Sequence, residues 1–396
     1  MKRLTVLGST GSIGCNTLDV LRSRRDQFCA FALVAGRNTE LLARQIAEFR
    51  PKVAVVATES DRENLKRRLA EIGLSRPEWP ELGSGAKARV AAATSSEADF
   101  VMSAIVGVAG LEATFEAVRL GKKVGLANKE VLVASGALVM EAASAAGAEL
   151  IPVDSEHNGV HQCLRGGRRD EVSRIILTAS GGPFRKTPKE KLAEVTPEQA
   201  LNHPTWKMGQ RITIDSATMM NKGFEVIEAC WLFGATAPEV EVVVHPQSSV
   251  HAMVEYNDGS ILAQVSATDM RMPIQYALTY PARETAPVPR LDWRTARHWE
   301  FEPPDMEKFR LLALSYQAQK AGGSAGCTLN AADEIAVDAF LRGRVTFPGI
   351  ADIVEETLAR VPVRNAHSVG EVLEIDQESR AVARDLAGSA RSVVRV

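Results

Sequence analysis

From residue 1 to 150 the chain alternates short, wholly apolar runs with longer stretches whose apolar positions recur every three to four residues. LTVLG (4–8), FALVAG (31–36), VAVVA (53–57), FVMSAIVG (100–107) and KVGLAN (123–128) predict strands. The intervening stretches 14–25, 39–49, 61–73, 110–119 and 129–146 predict helices. A strand apolar on both sides needs cover on both faces. Strands that alternate with helices therefore predict a parallel sheet sandwiched between helical layers.

The pattern changes after residue 150. RIILTASG (174–181), VEVVVHPQ (240–247), SVHAMVEY (249–256) and SILAQVSA (260–267) read as strands, the last two joined by NDG (257–259), a hairpin signal. A helix is expected from about 217 to 232. Residues 182–210 carry prolines and lysines with only short helical pieces, which predicts a mobile surface flap. The proline-rich stretch 286–305 reads as a linker. Apolar spacing near 3.6 then predicts helices at 306–321, 328–342, 348–360 and 369–387. The expected organisation is α/β: a Rossmann-like parallel sheet in 1–150, a central α+β domain in 151–285 containing the flap, and a helical bundle in 306–396.

Composition narrows the class. Apolar residues make up 45% of 396 positions, enough for more than one core. A net charge of −2 with interspersed signs gives no broad basic field for nucleic acid. Cys15, Cys29, Cys163, Cys230 and Cys327 form no C-x-x-C pair and read as reduced thiols. No run approaches the roughly 20 apolar residues of a membrane span, and MKRLTVLG reads as a first strand rather than an export signal, so a cytoplasmic protein is expected.

Two regions carry chemistry. GSTGSIG (8–14) joins the first strand to a helix; Gly8, Gly11 and Gly14 permit a tight turn and close approach of a diphosphate to free helical N–H groups. A bare glycine-rich turn is the alternative. The second strand ends in VAGRN, without the acid that would hold a ribose diol. Arg37 stands there instead, and its planar donor fork suits a 2′-phosphate, so NADP is expected over NAD. Farther on, PVDSEHNG (152–159) places Asp154 and Glu156 two residues apart at an apparent strand end, on one face if the strand continues. Like charges so close call for a cation. With Glu225 from MMNKGFEVIEA they make an all-oxygen set that suits Mg²⁺ or Mn²⁺ better than zinc. On spacing alone, a turn-capping Asp154 and a solvent-facing Glu225 fit as well. Ser180, His203, Ser216, Asn221 and Lys222 offer a clamp for a dianion, Lys129 follows a strand where a ligand crevice opens, and Ser155 can donate to a substrate oxygen. Trp206 and Met208 are apolar residues in the polar flap, fitted to exclude water or to pack. For His245 and His251, spacing does not separate site from sheet packing.

GSTGSIG (8–14), AGRN (35–38), LANKE (126–130), PVDSEHN (152–158), TASGGPF (178–184), HPTWKMG (203–209), DSATMMNKGFE (215–225), HPQS (245–248) and LNAADE (329–334) follow in an order that closely resembles the 1-deoxy-D-xylulose 5-phosphate reductoisomerases. The resemblance spans essentially the whole chain. It departs from the family pattern at Thr205, where Asn is commoner, and at Phe224, where Leu is commoner. It implies a catalytic set of Lys129, Asp154, Glu156 and Glu225, with the three acids ligating Mg²⁺, Mn²⁺ or Co²⁺. It implies substrate contacts at Lys129, Ser155, Glu156, Ser180, His203, Trp206, Met208, Ser216, Asn221, Lys222 and Glu225. The implied NADPH site is Gly8, Thr10, Gly11, Ser12, Ile13, Gly36, Arg37, Asn38, Ala127, Asn128, Glu130 and Gly209. The implied reaction is skeletal rearrangement of a phosphorylated 1-deoxy-ketose by retro-aldol cleavage and re-addition. Hydride reduction by NADPH then gives 2-C-methyl-D-erythritol 4-phosphate, toward isoprenoid precursors. A homodimer is implied as well. The alternative is a simple NADP-dependent dehydrogenase of another phosphorylated carbonyl compound.

Overall fold

The computed structural model describes residues 1–206 and 208–390; Lys207 in the expected flap and 391–396 at the end of the expected bundle lie outside the described residues. The chain forms two compact units. The first comprises 1–131, 139–158 and 269–290, and the second comprises 132–138, 159–268 and 291–396.

The first unit runs β1 (Lys2–Leu7), α1 (Ser12–Ser23), β2 (Phe28–Val34), α2 (Thr39–Phe49), β3 (Val53–Val56), α3 (Glu59–Glu71), β4 (Glu81–Ser84), α4 (Gly85–Thr94), β5 (Phe100–Ser103), α5 (Leu111–Arg119), β6 (Lys123–Leu126), α6 (Glu130–Ala146) and β7 (Leu150–Pro152). Among the described residues its strands form a seven-stranded sheet, order β4-β3-β2-β1-β5-β6-β7, parallel at every pairing. Strand order reverses between β1 and β5, the place where open α/β sheets leave a crevice at their carboxyl ends. The core joins Leu4, Val6, Leu33, Ala54, Phe100 and Met102 to helix residues such as Leu18, Leu42 and Leu65, all essentially without exposure. Gly125 lies against the Phe100 ring, where a Cβ would come within 2.9 Å. The apolar strands and periodic helices are thus those expected. β4 and α4 are additional: Glu-Leu-Gly-Ser is short and polar, as an edge strand is, and carries no apolar run.

The expectation that Asp154 and Glu156 sit on one strand face is overturned. β7 ends at Pro152, and α7 (Ser155–Cys163) begins immediately after Asp154. The Asn158 N–H donates to the Asp154 carbonyl at 2.8 Å, the first helical turn. Both acids therefore lie at a helix N-terminus, where the free N–H groups favour negative charge.

The second unit continues with β8 (Val172–Ala179), α8 (Pro197–Leu201), α9 (Gln210–Ala217), α10 (Met220–Phe233), β9 (Val240–Val244), β10 (Val250–Tyr256) and β11 (Ile261–Val265). The sheet order is β11-β10-β8-β9, with β8 and β9 parallel and β10 antiparallel to both its neighbours. The β10–β11 hairpin turns at Asn257–Gly259, with Gly259 at φ 83°. The helix expected near 217–232 is α10; α9 is an additional helix before it, separated from α10 by Thr218 and Met219. α11 (Arg271–Thr279), not expected, belongs to the first unit and packs on α1. α12 (Arg310–Ala321), α13 (Ala325–Leu341), α14 (Phe347–Arg360) and α15 (Val369–Ala390) form the helical bundle. Their core, with Leu329, Phe340, Ile350 and Val354, is continuous with Ile214, Met220 and Phe224 of α9 and α10. The bundle thereby supports the helices that carry Ser216, Asn221, Lys222 and Glu225.

Candidate active site

In the first unit the candidate residues collect at the carboxyl ends of strands. The Gly8 and Ser9 N–H groups both donate to the Val34 carbonyl at 2.8 Å, which ties the β1 turn to β2. Gly8 has φ +88°, and a Cβ on Gly14 would fall 2.2 Å from the Gly8 carbonyl oxygen. Only glycine at both positions lets α1 start this close to β1, leaving the N–H groups near Ser12 and Ile13 for an anion. Thr10 is half-buried in this turn, and Gly11 is the N-cap of α1. Gly36, Arg37 and Asn38 are exposed beyond β2; the Asn38 side chain caps α2 by accepting from Leu41 N–H at 3.1 Å. Beyond β6, Ala127 N–H donates to Ser103. The buried Asn128 donates its side-chain N–H to the Gly107 carbonyl at 3.0 Å, joining the loops after β5 and β6. Glu130 begins α6.

Lys129 and Asp154 follow the neighbouring strands β6 and β7, so register alone brings them together. Their ammonium and carboxylate form an ion pair, with side chains 7% and 19% exposed. Ser155 N–H donates to Asp154 Oδ1 at 3.0 Å, and the Ser155 hydroxyl donates to Glu156 Oε2 at 2.7 Å. Asp154 is thus held by a lysine and a helix N-terminus, and Glu156 by a hydroxyl.

In the second unit the residues expected to form a clamp lie at the end of β8, in the segment before α9 and at the α9–α10 junction. His203 Nδ1 accepts the Thr205 and Trp206 N–H groups at 3.1 and 2.9 Å, so that nitrogen carries no proton. The proton is on Nε2, which lies 3.0 Å from Ser180 Oγ and 3.1 Å from Ser216 Oγ. Burial holds the His203 pKa below its ordinary value, in keeping with a neutral ring. Three hydrogen-bonding groups from three segments therefore converge, all able to donate to an oxyanion. Gly182, at φ +64°, makes room: a Cβ there would come within 2.7 Å of the Ser216 carbonyl. Trp206 and Met208, half-buried, and exposed Gly209 follow His203 directly.

Met219, buried and left-handed at φ +64°, turns the chain from α9 into α10. Strain of this kind, roughly 1–3 kcal/mol, persists where the surroundings enforce it. The first turns of α10 then present Asn221, Lys222 and Glu225. The fully buried Glu225 carboxylate accepts from Asn221 Nδ2 at 2.6 Å and from Lys222 Nζ at 2.5 Å. A solvent-facing Glu225 is thereby excluded. Glu228, one turn on, is also fully buried.

His245 is settled as structural. Nδ1–H donates to the Glu300 carbonyl at 3.0 Å, Nε2 accepts the Ser249 and Val250 N–H groups, and the ring stacks on Phe301 at 4.6 Å. Residue spacing did not disclose Arg211. It follows the flap directly on α9 and binds Asn330 and Glu334 of the bundle at 2.8 and 2.7 Å. The available signal was the Arg211–Asp215 pair four residues apart on one helix face.

A parallel sheet with a glycine-rich strand–helix turn at its switch point, in a chain whose second unit carries buried carboxylates and converging hydroxyl and imidazole groups, is the pattern of a dinucleotide-dependent oxidoreductase. Family comparison makes this specific. The model described as 1-deoxy-D-xylulose 5-phosphate reductoisomerase matches residues 4–136, and its two C-terminal domain models match 150–233 and 265–382. The 1-deoxy-D-xylulose 5-phosphate reductoisomerase of Solibacter usitatus is 67% identical over 98% of both chains. That of Ralstonia pickettii is 51% identical over 96% of both. Among solved structures, the Zymomonas mobilis reductoisomerase in complex with NADPH is 47% identical with a TM-score of 0.90, covering 98% of this chain and 99% of its own. A DOX-P reductoisomerase in complex with NADPH, fosmidomycin and magnesium is 36% identical with a TM-score of 0.92, covering 98% of each. The chain belongs to the 1-deoxy-D-xylulose 5-phosphate reductoisomerase family.

Proposed function

We propose that Asp154, Glu156 and Glu225 hold the divalent cation, and that Ser180, His203, Ser216, Asn221 and Lys222 hold the substrate phosphate. The chain is an NADPH- and metal-dependent oxidoreductase that converts 1-deoxy-D-xylulose 5-phosphate to 2-C-methyl-D-erythritol 4-phosphate in isoprenoid synthesis. The observation that carries the residue assignment is that the candidate carboxylates are already held by cationic, hydroxyl or amide donors: Lys129 on Asp154, Ser155 on Glu156, and Lys222 with Asn221 on Glu225. Oxygen-only and anionic, with Glu225 fully buried and Asp154 and Glu156 partly so, the set fits a hard cation such as Mg²⁺.

When bound, the cation supplies a Lewis acid and template for the substrate's carbonyl and hydroxyl oxygens. NADPH supplies the hydride. The remaining work falls to the chain. Lys129, buried beside Asp154, places a positive charge where substrate oxygens become more anionic, and Ser155 offers a hydroxyl to the same oxygens. The neutral His203 donates through Nε2 to a phosphate oxygen, with Ser180 and Ser216 beside it. Phosphate held this way supplies binding energy remote from the reacting carbons. Trp206 and Met208 cover the bound substrate from water. Gly8, Thr10, Gly11, Ser12 and Ile13 take the diphosphate. Ala127, Asn128, Glu130 and Gly209 border the nicotinamide.

Arg37, with Gly36 and Asn38, takes the ribose 2′-phosphate. Arg37→Ala is therefore expected to weaken NADPH about 10–100-fold, the worth of a charge-assisted contact. NADH use should be unchanged. Steady-state kinetics with each coenzyme measures this, and equal losses for both would remove Arg37 from the site.

We also infer a homodimer. Edge strand β11 exposes Ile261 and Leu262 at 49% and 41%, and Trp293 is 68% exposed in the same unit, features that favour pairing with a second copy. Cytoplasmic residence is part of the same reading: among the described residues no helix is long and apolar enough to cross a membrane, and the five cysteines are free.

The activity is tested by incubating the protein with 1-deoxy-D-xylulose 5-phosphate, NADPH and Mg²⁺, with and without chelator. NADPH absorbance and product identity are followed together. The branched methylerythritol phosphate should form only with metal. Reduction without carbon rearrangement would instead support a simple dehydrogenase.

A further inference from the structure

Outside the clamp, the second unit buries a chain of charges that the reaction as described does not use. Arg211, in the first turn of α9, reaches α13 with its whole guanidinium: Nη1 donates to Glu334 at 2.7 Å, and Nη2 to Asn330 at 2.8 Å and Asp333 at 3.4 Å. Its Nε lies 3.6 Å from Asp215 on α9 itself. Arg380 of α15 binds the far oxygen of Glu334 at 2.7 Å and Asp376 at 2.6 Å. Asn330 and Asp333 are wholly buried, and Asp215 and Asp376 nearly so. The Arg211 guanidinium also lies over the Phe224 ring at 5.8 Å, next to Glu225. α9 has eight residues, and Ser216 is on its last turn. Whatever fixes Arg211 fixes the helix that carries Ser216.

We propose that Asp333 is a positioning residue for the reaction, holding α9 through Arg211 so that Ser216 stays aligned with His203 and Ser180 in the phosphate clamp. The proposal rests on the clamp assignment made above. A buried charge pair is a poor choice for stability alone, since apolar side chains of equal volume commonly do as well. What it supplies is a fixed orientation, because the planar guanidinium meets several partners at once.

The cluster also has a pH signature. From α9, Arg211 and Asp215 face Asp333; on α13 it is Glu334; from α15, Arg380 and Asp376 stand one contact farther out. Arg310 of α12 pairs with Asp352 and Glu355 of α14 instead. Four carboxylates thus share two guanidinium groups. Burial pushes the Asp333 carboxyl up to about 6, against the pull of Arg211, with Asp215 as hydrogen-bond partner. Above that pH Asp333 is an anion that holds Arg211; below it, the carboxyl is neutral and the hold weakens. Asn at this position mimics the neutral form at every pH.

The test is Asp333→Asn in the full-length protein, with KM for 1-deoxy-D-xylulose 5-phosphate and kcat measured from pH 5.5 to 8 beside the wild type. At pH 8 the variant's KM should be about tenfold higher, within the 0.5–2 kcal/mol range of such indirect effects, with kcat and NADPH affinity within threefold. The KM ratio of variant to wild type should fall toward one at pH 5.5, where Asp333 of the wild type is mostly protonated. The substrate's phosphate titrates in both proteins and cancels in that ratio. An unchanged KM at pH 8, or a ratio constant across pH, overturns the proposal. If Asp333→Asn does not fold, Arg211→Lys, which keeps the charge but not the fork, should show the same KM-limited defect; a normal KM there overturns the proposal equally. Ser216→Ala separates the two claims. A raised KM there with a normal Asp333→Asn defeats only the positioning role, whereas a normal KM in Ser216→Ala defeats the clamp assignment beneath it.

Discussion

Glu225→Gln is expected to lower kcat about a thousandfold at saturating Mg²⁺ while leaving NADPH affinity within twofold. A Lewis-acid cation supplies several kcal/mol at the reacting oxygens, and each 1.36 kcal/mol is about tenfold in rate. Gln keeps the shape of Glu225 but removes the anionic oxygen. It also leaves the buried Lys222 ammonium without its carboxylate, 2.5 Å away in the native protein. Breaking a buried pair costs about 3–5 kcal/mol, so thermal unfolding must be measured alongside turnover. The decisive readout is the Mg²⁺ dependence of turnover in folded variant. A loss of only a few-fold, with unchanged metal affinity, would take Glu225 out of the ligand set.

The second large effect concerns the nucleotide turn. Gly14→Ala should lower NADPH affinity at least about a hundredfold, because the added Cβ meets only backbone. It would stand 2.2 Å from the Gly8 carbonyl oxygen, 2.5 Å from Ser9 Cα and 2.6 Å from Ser9 C. No rotamer change relieves such contacts, and overpacking of this kind costs about 1–3 kcal/mol or more. The turn must open, and the N–H groups of α1 leave the place where the diphosphate would sit. Gly388→Ala on α15, where a Cβ meets nothing within 4 Å, is the matched control and should be neutral or slightly stabilising. NADPH titration and thermal unfolding of both variants give the comparison. Native-like NADPH binding by Gly14→Ala would contradict the role assigned to the turn.

What was readable in the sequence was what periodicity and local chemistry control. Strands such as VAVV and FVMS are apolar at every position but Ser103 because both faces are covered, and the chain shows it. The Asn-Asp-Gly hairpin and the C-terminal helices were equally plain. The short edge strand β4 was hidden because an edge needs little apolar surface. The Asp154–Glu156 stretch does not announce its helix, because the apolar approach of β7 runs directly into it. The helix after it starts with Ser-Glu-His-Asn, which offers no apolar repeat, and its start is set by the Asp154 carbonyl and the ends of β6 and β7. The candidate clamp residues follow from type and motif, but the proton position on His203 does not, since it depends on two backbone N–H groups from Thr205 and Trp206. The burial of Glu225 and the reach of Arg211 to α13 are tertiary facts, with Arg211 and Glu334 123 residues apart in the second case. No local window contains them.

The most direct measurement is anomalous diffraction from crystals grown with Mn²⁺ and NADPH. One manganese peak bonded to carboxylate oxygens of Asp154, Glu156 and Glu225, lost in crystals of Glu225→Gln, is the predicted result. Manganese bound by a set that omits Glu225, or unaffected by its replacement, would contradict the account.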